Sequence, residues 1–245
     1  MLSSVMRTTG ADPSTPLTLI LAEAALELIP REIWHHHVIR THAKKRHKKP
    51  WEMLLDISLH YFAMLNLPER HKRGRPDIVH VCLLNALSSP LNKAGLLRTV
   101  VHTIDNRAIF IDPQTRIPRN YNRFVGLMEQ LLTQGKVPPD SDKPLMTWKR
   151  LELRDLLREL GIEIAILLDE RGVRMRLREL GDLIAKTIRS QVPTAVMVGA
   201  FPHGEFRRET IECATYIVSL YNEVLDAWAI VSRVLTAVEI ALGIV

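Results

Sequence analysis

The last third of the chain constrains the fold most. Short, wholly apolar runs alternate there with amphipathic ones. Ile162–Leu168, Ala195–Val198 and Ile217–Leu220 read as strands, and Leu177–Arg189, Glu205–Cys213 and Glu223–Leu242 as helices. A strand that is apolar on both faces is a strand covered on both faces. Its alternation with helices predicts an α/β fold with a mostly parallel sheet. Upstream, Leu17–Ala22 reads as a further buried strand, and Thr99–Ile104 and Ala108–Ile111 flank Asp105-Asn106-Arg107 as a hairpin. Helices are expected over 51–66 behind Pro50, over 77–87 behind Pro76, over Asn122–Leu132, and from Trp148 to Leu160. Glu23–Ile29 reads as a helical turn or two stopped by Pro30, and residues 135–147 as a surface linker. One domain over 16–245 is expected, behind a flexible, polar stretch at 1–15 with no signal peptide.

Charge is the second constraint. The net charge is +6, and residues 31–50 carry seven basic residues against Glu32 alone, which accounts for all of it. An excess confined to one segment is the footprint of a nucleic-acid surface; the alternative is a solvated loop. Arg70, Lys72, Arg73 and Arg75 form a second basic run. The apolar last twenty residues are interrupted by Arg233 and Glu239, which argues against a membrane span and for a buried or dimer-forming helix. Cys82 and Cys213 have no metal or redox spacing and lie in apolar runs, as buried free thiols do; a reducing cytoplasm is the expected location.

Several groups are candidates for chemistry. Gly199 and Gly204 follow a strand, where glycine admits close approach of backbone to a ligand, or simply a tight turn. Their spacing is that of a phosphate loop, but Glu205 stands where the lysine belongs. Arg116, Arg119 and Arg123 are spaced i, i+3, i+7 in a stretch, 113–128, with no Asp or Glu. Pro118 interrupts any continuous helix there. Their planar forks suit phosphates. Asp77 follows Arg75 across Pro76 and has three readings: a clamp on the guanidinium, a helix cap, or a general base. His35, His36, His37, His42 and His47 suggest a metal site, but no carboxylate or cysteine accompanies them and lysines crowd them, so a basic RNA-facing loop without metal is the reading preferred. No paired carboxylates and no nucleophile elbow are present, which suits a cofactor-dependent transfer that depends on positioning.

Taken together, six segments resemble the ribosome-biogenesis pseudouridine-N1-specific small-subunit rRNA methyltransferases, and within them the archaeal branch. They run from Leu19 to Glu23, Leu54 to Tyr61, Arg73 to His80, Ser89 to Lys93, Thr115 to Arg123 and Gly199 to Gly204, in order along the chain. The resemblance implies a SPOUT-class fold with a C-terminal trefoil knot near 162–245. It also implies S-adenosyl-L-methionine in the knot loops, a homodimer built around the knot, and ribosome-assembly partners. The substrate implied is a pseudouridine in a loop of 16S-like rRNA. Carried over by motif, cofactor contacts fall on Gly199, Gly204, Ile217, Val218, Ser219, Leu220, Tyr221 and Asn222, with the segment around Asp169 close by. RNA contacts fall on Arg75, Arg116, Arg119 and Arg123, and Asp77 steadies Arg75. The His35–His37 run has no counterpart in the resemblance. Two rival readings are a non-catalytic rRNA-binding assembly factor and a SPOUT enzyme acting on a different base.

Overall fold

The computed structural model describes residues 16–245; the expectations for 1–15 lie outside the described residues. Its centre is β1 (Leu17–Ala24), buried at every position. Alternate residues of a strand face opposite sides of the sheet, so both sides of β1 need a cover. Leu17, Leu19 and Leu21 join one core, and Ile20 and Ala22 another. β1 pairs in parallel with β2 (Leu97–Thr103) and with β7 (Thr194–Gly199). The parallel set continues through β6 (Ile164–Arg174) to β8 (Tyr216–Ser219). On the other side, β3 (Arg107–Ile111), β5 (Met146–Arg150) and β4 (Lys136–Val137) add antiparallel strands, giving the order β4-β5-β3-β2-β1-β7-β6-β8.

The first core is roofed by α3 (Pro76–Ser88), α5 (Tyr121–Gln134), α7 (Leu177–Arg189) and α9 (Ala227–Leu242). The second lies under α6 (Leu153–Glu159) and α8 (Arg208–Glu212). A separate small core, with Ile39, Ala43, Met53, Leu55 and Met64, holds α1 (His37–Arg46) against α2 (Ile57–Met64). The short α4 (Pro90–Lys93) precedes β2.

Several expectations are corrected. The basic stretch 31–50 is no loop: α1 forms because Ile39 and Ala43, four apart, share one buried face. Residues 51–66 split into a tight turn at Pro50–Glu52 and α2, because Asp56 caps the latter by accepting from the Ser58 N–H. Glu23–Ile29 is not helical. β1 runs on to Ala24, and beyond it Leu55 N–H donates to Glu27 and Ile29 N–H to Met53, a bridge no local pattern announces. The expected helix from Trp148 is strand at its start, where pairing with β3 outweighs local preference, and only Leu153–Glu159 is helical. The linker at 135–147 contains β4, and the expected helix at Glu205–Cys213 shrinks to α8. Cys82 is buried, with its thiol pushed up to about 12 by burial, whereas Cys213 is only half-buried.

β6 is longer than its apolar run. It leaves β8 after Leu168 and rejoins it at Val173, so Val218 is the partner of both residues. A Cβ on Gly172 would lie 2.6 Å from the backbone of Ile217 and Val218, so only glycine permits this return of the chain against β8. Among the described residues no helix is long and apolar enough to cross a membrane.

Candidate active site

The carboxyl ends of β6, β7 and β8 open into one cleft of about 640 Å³. Ligands of open α/β sheets sit at such ends. The three segments contribute Leu168 to Glu170, Val198 to Phe206, and Val218 onward to the start of α9. Of the residues carried over by motif, Gly199, Gly204, Val218, Leu220 and Tyr221 line this cleft, and Asp169 does too. Ile217 does not, since it packs on the opposite face with α6 and α8. Ser219 is buried, its hydroxyl donating to the Tyr221 carbonyl at 2.9 Å, and it shapes the turn from behind. Asn222 is exposed and outside the cleft lining.

Each glycine also permits close packing within the chain itself. A Cβ on Gly199 would lie 2.8 Å from the Phe206 ring and 2.9 Å from that of Phe201. Gly204 has φ +101°, and its Cβ would lie 2.6 Å from the His71 ring. The space each leaves is filled by the chain's own rings. Arg171 braces the loop from β6: it donates twice to Asp169 and pairs with Glu205 at 2.6 Å. Burial raises the Asp169 carboxyl, but the hydrogen bonds from Arg171 outweigh it and hold the group below its ordinary range. Nothing near Arg171 in the sequence marks it out, since its role depends on the return of β6.

Arg75 joins the same cleft from the N-terminal side. Its guanidinium donates to both oxygens of Asp77, at 2.8 and 2.7 Å. Pro76 occupies the first position of α3 and Arg75 the cap, so the helix start itself turns the two side chains toward each other. Asp77 is therefore a clamp and not the cap. Behind it, the Tyr121 hydroxyl donates to Asp56 at 2.7 Å, and burial, then Asp56, push its phenol above the ordinary value. This contact spans 65 residues, and no local signal reveals it.

Arg116, Arg119 and Arg123 are exposed, without an ion-pair partner among the described residues. They do not form one helical face. α5 begins only at Tyr121, capped by Asn120 accepting from Arg123 N–H, and Arg116 and Arg119 lie in the non-helical segment before it. That segment is pinned at both ends. Thr115 donates to the Leu145 carbonyl at 3.1 Å, and the His80 ring N–H donates to the Pro118 carbonyl at 2.7 Å.

The other basic residues behave differently. Glu129, 1% exposed, accepts from Arg46, Lys48 and the Leu54 N–H, which withdraws two of the seven cations of 31–50 into structure. Lys72 pairs with buried Glu23 at 2.6 Å, and Arg73 with Glu27 through two bonds. Of the histidines, His36 caps α1 and His42 meets His60 at 2.8 Å. Among the described residues no group of three His, Cys, Asp or Glu is placed to hold a metal.

Comparison with known proteins matches this geometry. A family model described as EMG1/NEP1 methyltransferase covers residues 19–239. The ribosomal RNA small subunit methyltransferase Nep1 of Staphylothermus marinus is 49% identical over 224 residues, 91% of this chain and 95% of its own. Nep1 of Thermococcus kodakarensis is 45% identical over 228 residues, 93% of this chain and all of its own. The crystal structure of Archaeoglobus fulgidus Nep1 bound to S-adenosylhomocysteine superposes with a TM-score of 0.80 at 40% identity, covering 94% of this chain and 99% of that one. With a family model and relatives matched over nearly its whole length, the chain belongs to the EMG1/NEP1 methyltransferase family.

Proposed function

We propose that this chain methylates N1 of a pseudouridine in a loop of small-subunit rRNA, with S-adenosyl-L-methionine as donor. The observation that carries the reading is the convergence of a clamped arginine, Arg75, with the three strand ends of one cleft. A related structure holds S-adenosylhomocysteine, the product of that donor. The donor set fits the group. Leu168, Val198, Val218 and Leu220 offer apolar walls to an adenine, and Glu170 and Glu223, which line the same cleft, offer carboxylates to hydroxyl or cationic groups. When bound, the cofactor supplies an electrophilic methyl.

The chain's own residues supply position. Pseudouridine exposes an N1–H that uridine lacks, and a splayed loop base can present it. Arg116, Arg119 and Arg123 hold the RNA strand, and Arg75 holds the target nucleotide. Both Asp77 oxygens accept from Arg75, so Asp77 orients the guanidinium and does not take the N1 proton. Alignment of this kind supplies a large part of the acceleration.

A trefoil knot is part of this reading, supported by the double pairing of β6 with β8. So is a cytoplasmic homodimer. The apolar residues of α9 are mostly spent inside the chain, on α3 and α7, so α9 alone is a weaker motive for a dimer than its composition suggests. Exposed Val173, with Tyr221 and Val224 on the cleft's own rim, is the better one.

Labelled S-adenosylmethionine and two matched loop RNAs, one with uridine and one with pseudouridine, test the proposal. Label should enter only the pseudouridine RNA. Equal labelling of both, or labelling at a position other than N1, would overturn it. Light scattering at micromolar protein tests the dimer, which a monomeric mass would exclude.

A further inference from the structure

Glu129 withdraws two of the seven cations of 31–50. Arg31, Arg40, Lys44, Lys45 and Lys49 remain, all exposed and none in an ion pair among the described residues. They leave a clear positive excess over Glu32 and Glu52, and the Glu52 carboxylate is turned back on the Lys49 N–H at 2.8 Å. α1 itself carries no Asp or Glu. It buries Ile39 and Ala43, so Arg40 and Lys44, four apart, share a face turned to solvent. Cations in the last turn of a helix meet its negative dipole end, which accounts for Lys44 and Lys45 as ordinary solvated residues. It does not account for Arg31, Arg40 and Lys49.

A basic face alone would be a solvated surface. Beside Lys49, however, stands an aromatic ring that the chain leaves open. Trp51, in the turn at Pro50–Glu52, is 43% exposed. Its ring lies 5.0 Å from that of Trp34, tilted by 47°, and the Lys49 ammonium stands 5.4 Å from its centroid. Trp34 is fixed: its ring N–H donates to the Ile29 carbonyl at 2.7 Å, and it packs on the small core between α1 and α2. Arg31 begins the turn that leads into Trp34, whose backbone N–H donates to the Arg31 carbonyl. Trp34 therefore supports Trp51 without covering it.

A supported, open indole beside free cations is the arrangement on which an unpaired base stacks while its phosphates meet the charges. An acidic peptide matches the cations and leaves the ring unused. A duplex matches them too, but its bases are already stacked on one another. We propose that Trp51, with Arg31, Lys49 and the outward face of α1, forms a second site for single-stranded RNA, sharing no residue with the cleft or with Arg116, Arg119 and Arg123. One base stacks on the open side of Trp51, and the strand runs on along the free cations. The inference goes beyond the methylation reading and does not require it, since the strand bound here need not carry the target base.

A uridine hexamer titrated into the full chain with Arg116, Arg119 and Arg123 replaced by alanine tests the site, because that variant leaves only the second surface. Saturable binding of one hexamer per chain is expected, with the indole N–H resonance of Trp51 shifting. Trp51→Ala in that background should weaken binding about tenfold, and Trp51→Phe, which keeps a ring to stack on, by no more than about threefold. Lys49→Ala should flatten the slope of log affinity against log salt by about 0.7. Hexamer affinity unchanged in Trp51→Ala, an unmoved Trp51 resonance, or equal binding of polyglutamate of matched charge would overturn the proposal. The resonance is read on the intact ring, so the test stands even if Trp51→Ala fails to fold. Binding is read without cofactor or methyl transfer, so this proposal and the methylation reading fail separately.

Discussion

Two sets of basic side chains share this molecule and do different work. In the α1–α2 lobe and the run leading to α3, Arg46, Lys48, Lys72 and Arg73 each have a buried carboxylate, from Glu129, Glu23 or Glu27. Around α5, Arg116, Arg119 and Arg123 have none among the described residues and are exposed. The first set is a structural scaffold whose charge is already spent. The second is held ready by a segment pinned through its backbone, so its charge remains available. Arg75 lies between them: paired, but to a half-buried aspartate that aims it and leaves it open to solvent. Density of charge in the sequence therefore does not tell which cations are free; the absence of a carboxylate partner among the described residues does, and it leaves Arg31, Arg40, Lys44, Lys45 and Lys49 of the basic stretch free as well.

The largest effect that would break this contrast is on Glu129. Its removal strands Arg46, Lys48 and a buried Leu54 N–H at once. Because the two cations are about a third exposed, Glu129→Ala should cost about 3 kcal/mol, the low end for breaking a buried pair. Denaturant unfolding measures this. RNA affinity of the folded fraction should hold or rise, since two cations are released. Lost RNA affinity at undiminished stability would mean that these two charges are functional, and the contrast would fail.

The same lobe should make stability depend on pH. Asp56 N–H donates to His60 Nδ1, so His60 Nε2 carries the hydrogen and donates to Nδ1 of His42. Burial, then the neighbouring His42, push His60 down to about 4 from 6.5. Between those values the unfolded chain takes up a proton that the native state refuses. Stability thus rises with pH across the window, and is lost as pH falls from 6.5 toward 4. The loss approaches on the order of 3 kcal/mol at the acid end. His60→Asn keeps an acceptor for the Asp56 N–H and should flatten the dependence. Equal slopes for the two proteins in urea unfolding at pH 6.5 and 4.5 would exclude His60 as the cause.

Asp77 tests the intermediate case. Asp77→Asn removes one of the two acceptors that fix Arg75 and should slow single-turnover methylation on the order of tenfold to a hundredfold, as small misplacements do. RNA affinity should change by about twofold at most, since an exposed pair contributes little. Arg75→Ala should behave alike. A rate in Asp77→Asn that recovers with rising pH would instead make Asp77 the proton acceptor.

The parts of this arrangement legible in the sequence are those set by local periodicity. α7 falls where its amphipathic pattern ends, at Leu177 and Arg189, and the β2–β3 hairpin is fixed by Asp105-Asn106-Arg107 between two apolar runs. Gly199, Gly204 and the end of β8 were marked by strand ends close in sequence, and the cleft does unite them. The illegible parts depend on distant partners. Trp148 lies in a strand because β3 stands beside it, and its ring N–H donates to Leu131, on α5. The pairing of Arg46 and Lys48 requires Glu129, over eighty residues away in the chain. Gly172 carries no sign that β6 turns back on β8 until the backbone of Val218 lies against it.

The finest test compares salt dependence arginine by arginine. A phosphate contact on a single strand adds about −0.7 to the slope of log affinity against log salt. Arg116→Ala, Arg119→Ala and Arg123→Ala should each weaken binding of the loop RNA and flatten the slope by about that amount, since each is exposed and unpaired among the described residues. The cofactor's affinity should not move, because none of the three lines the cleft. Arg46→Ala is the matched control: the same charge is removed, but from a guanidinium already neutralised by Glu129. Its slope should equal that of the unaltered chain. An Arg46 effect as large as that of Arg119 would show that the buried carboxylate does not withdraw the charge, and that the two sets of basic residues act as one surface.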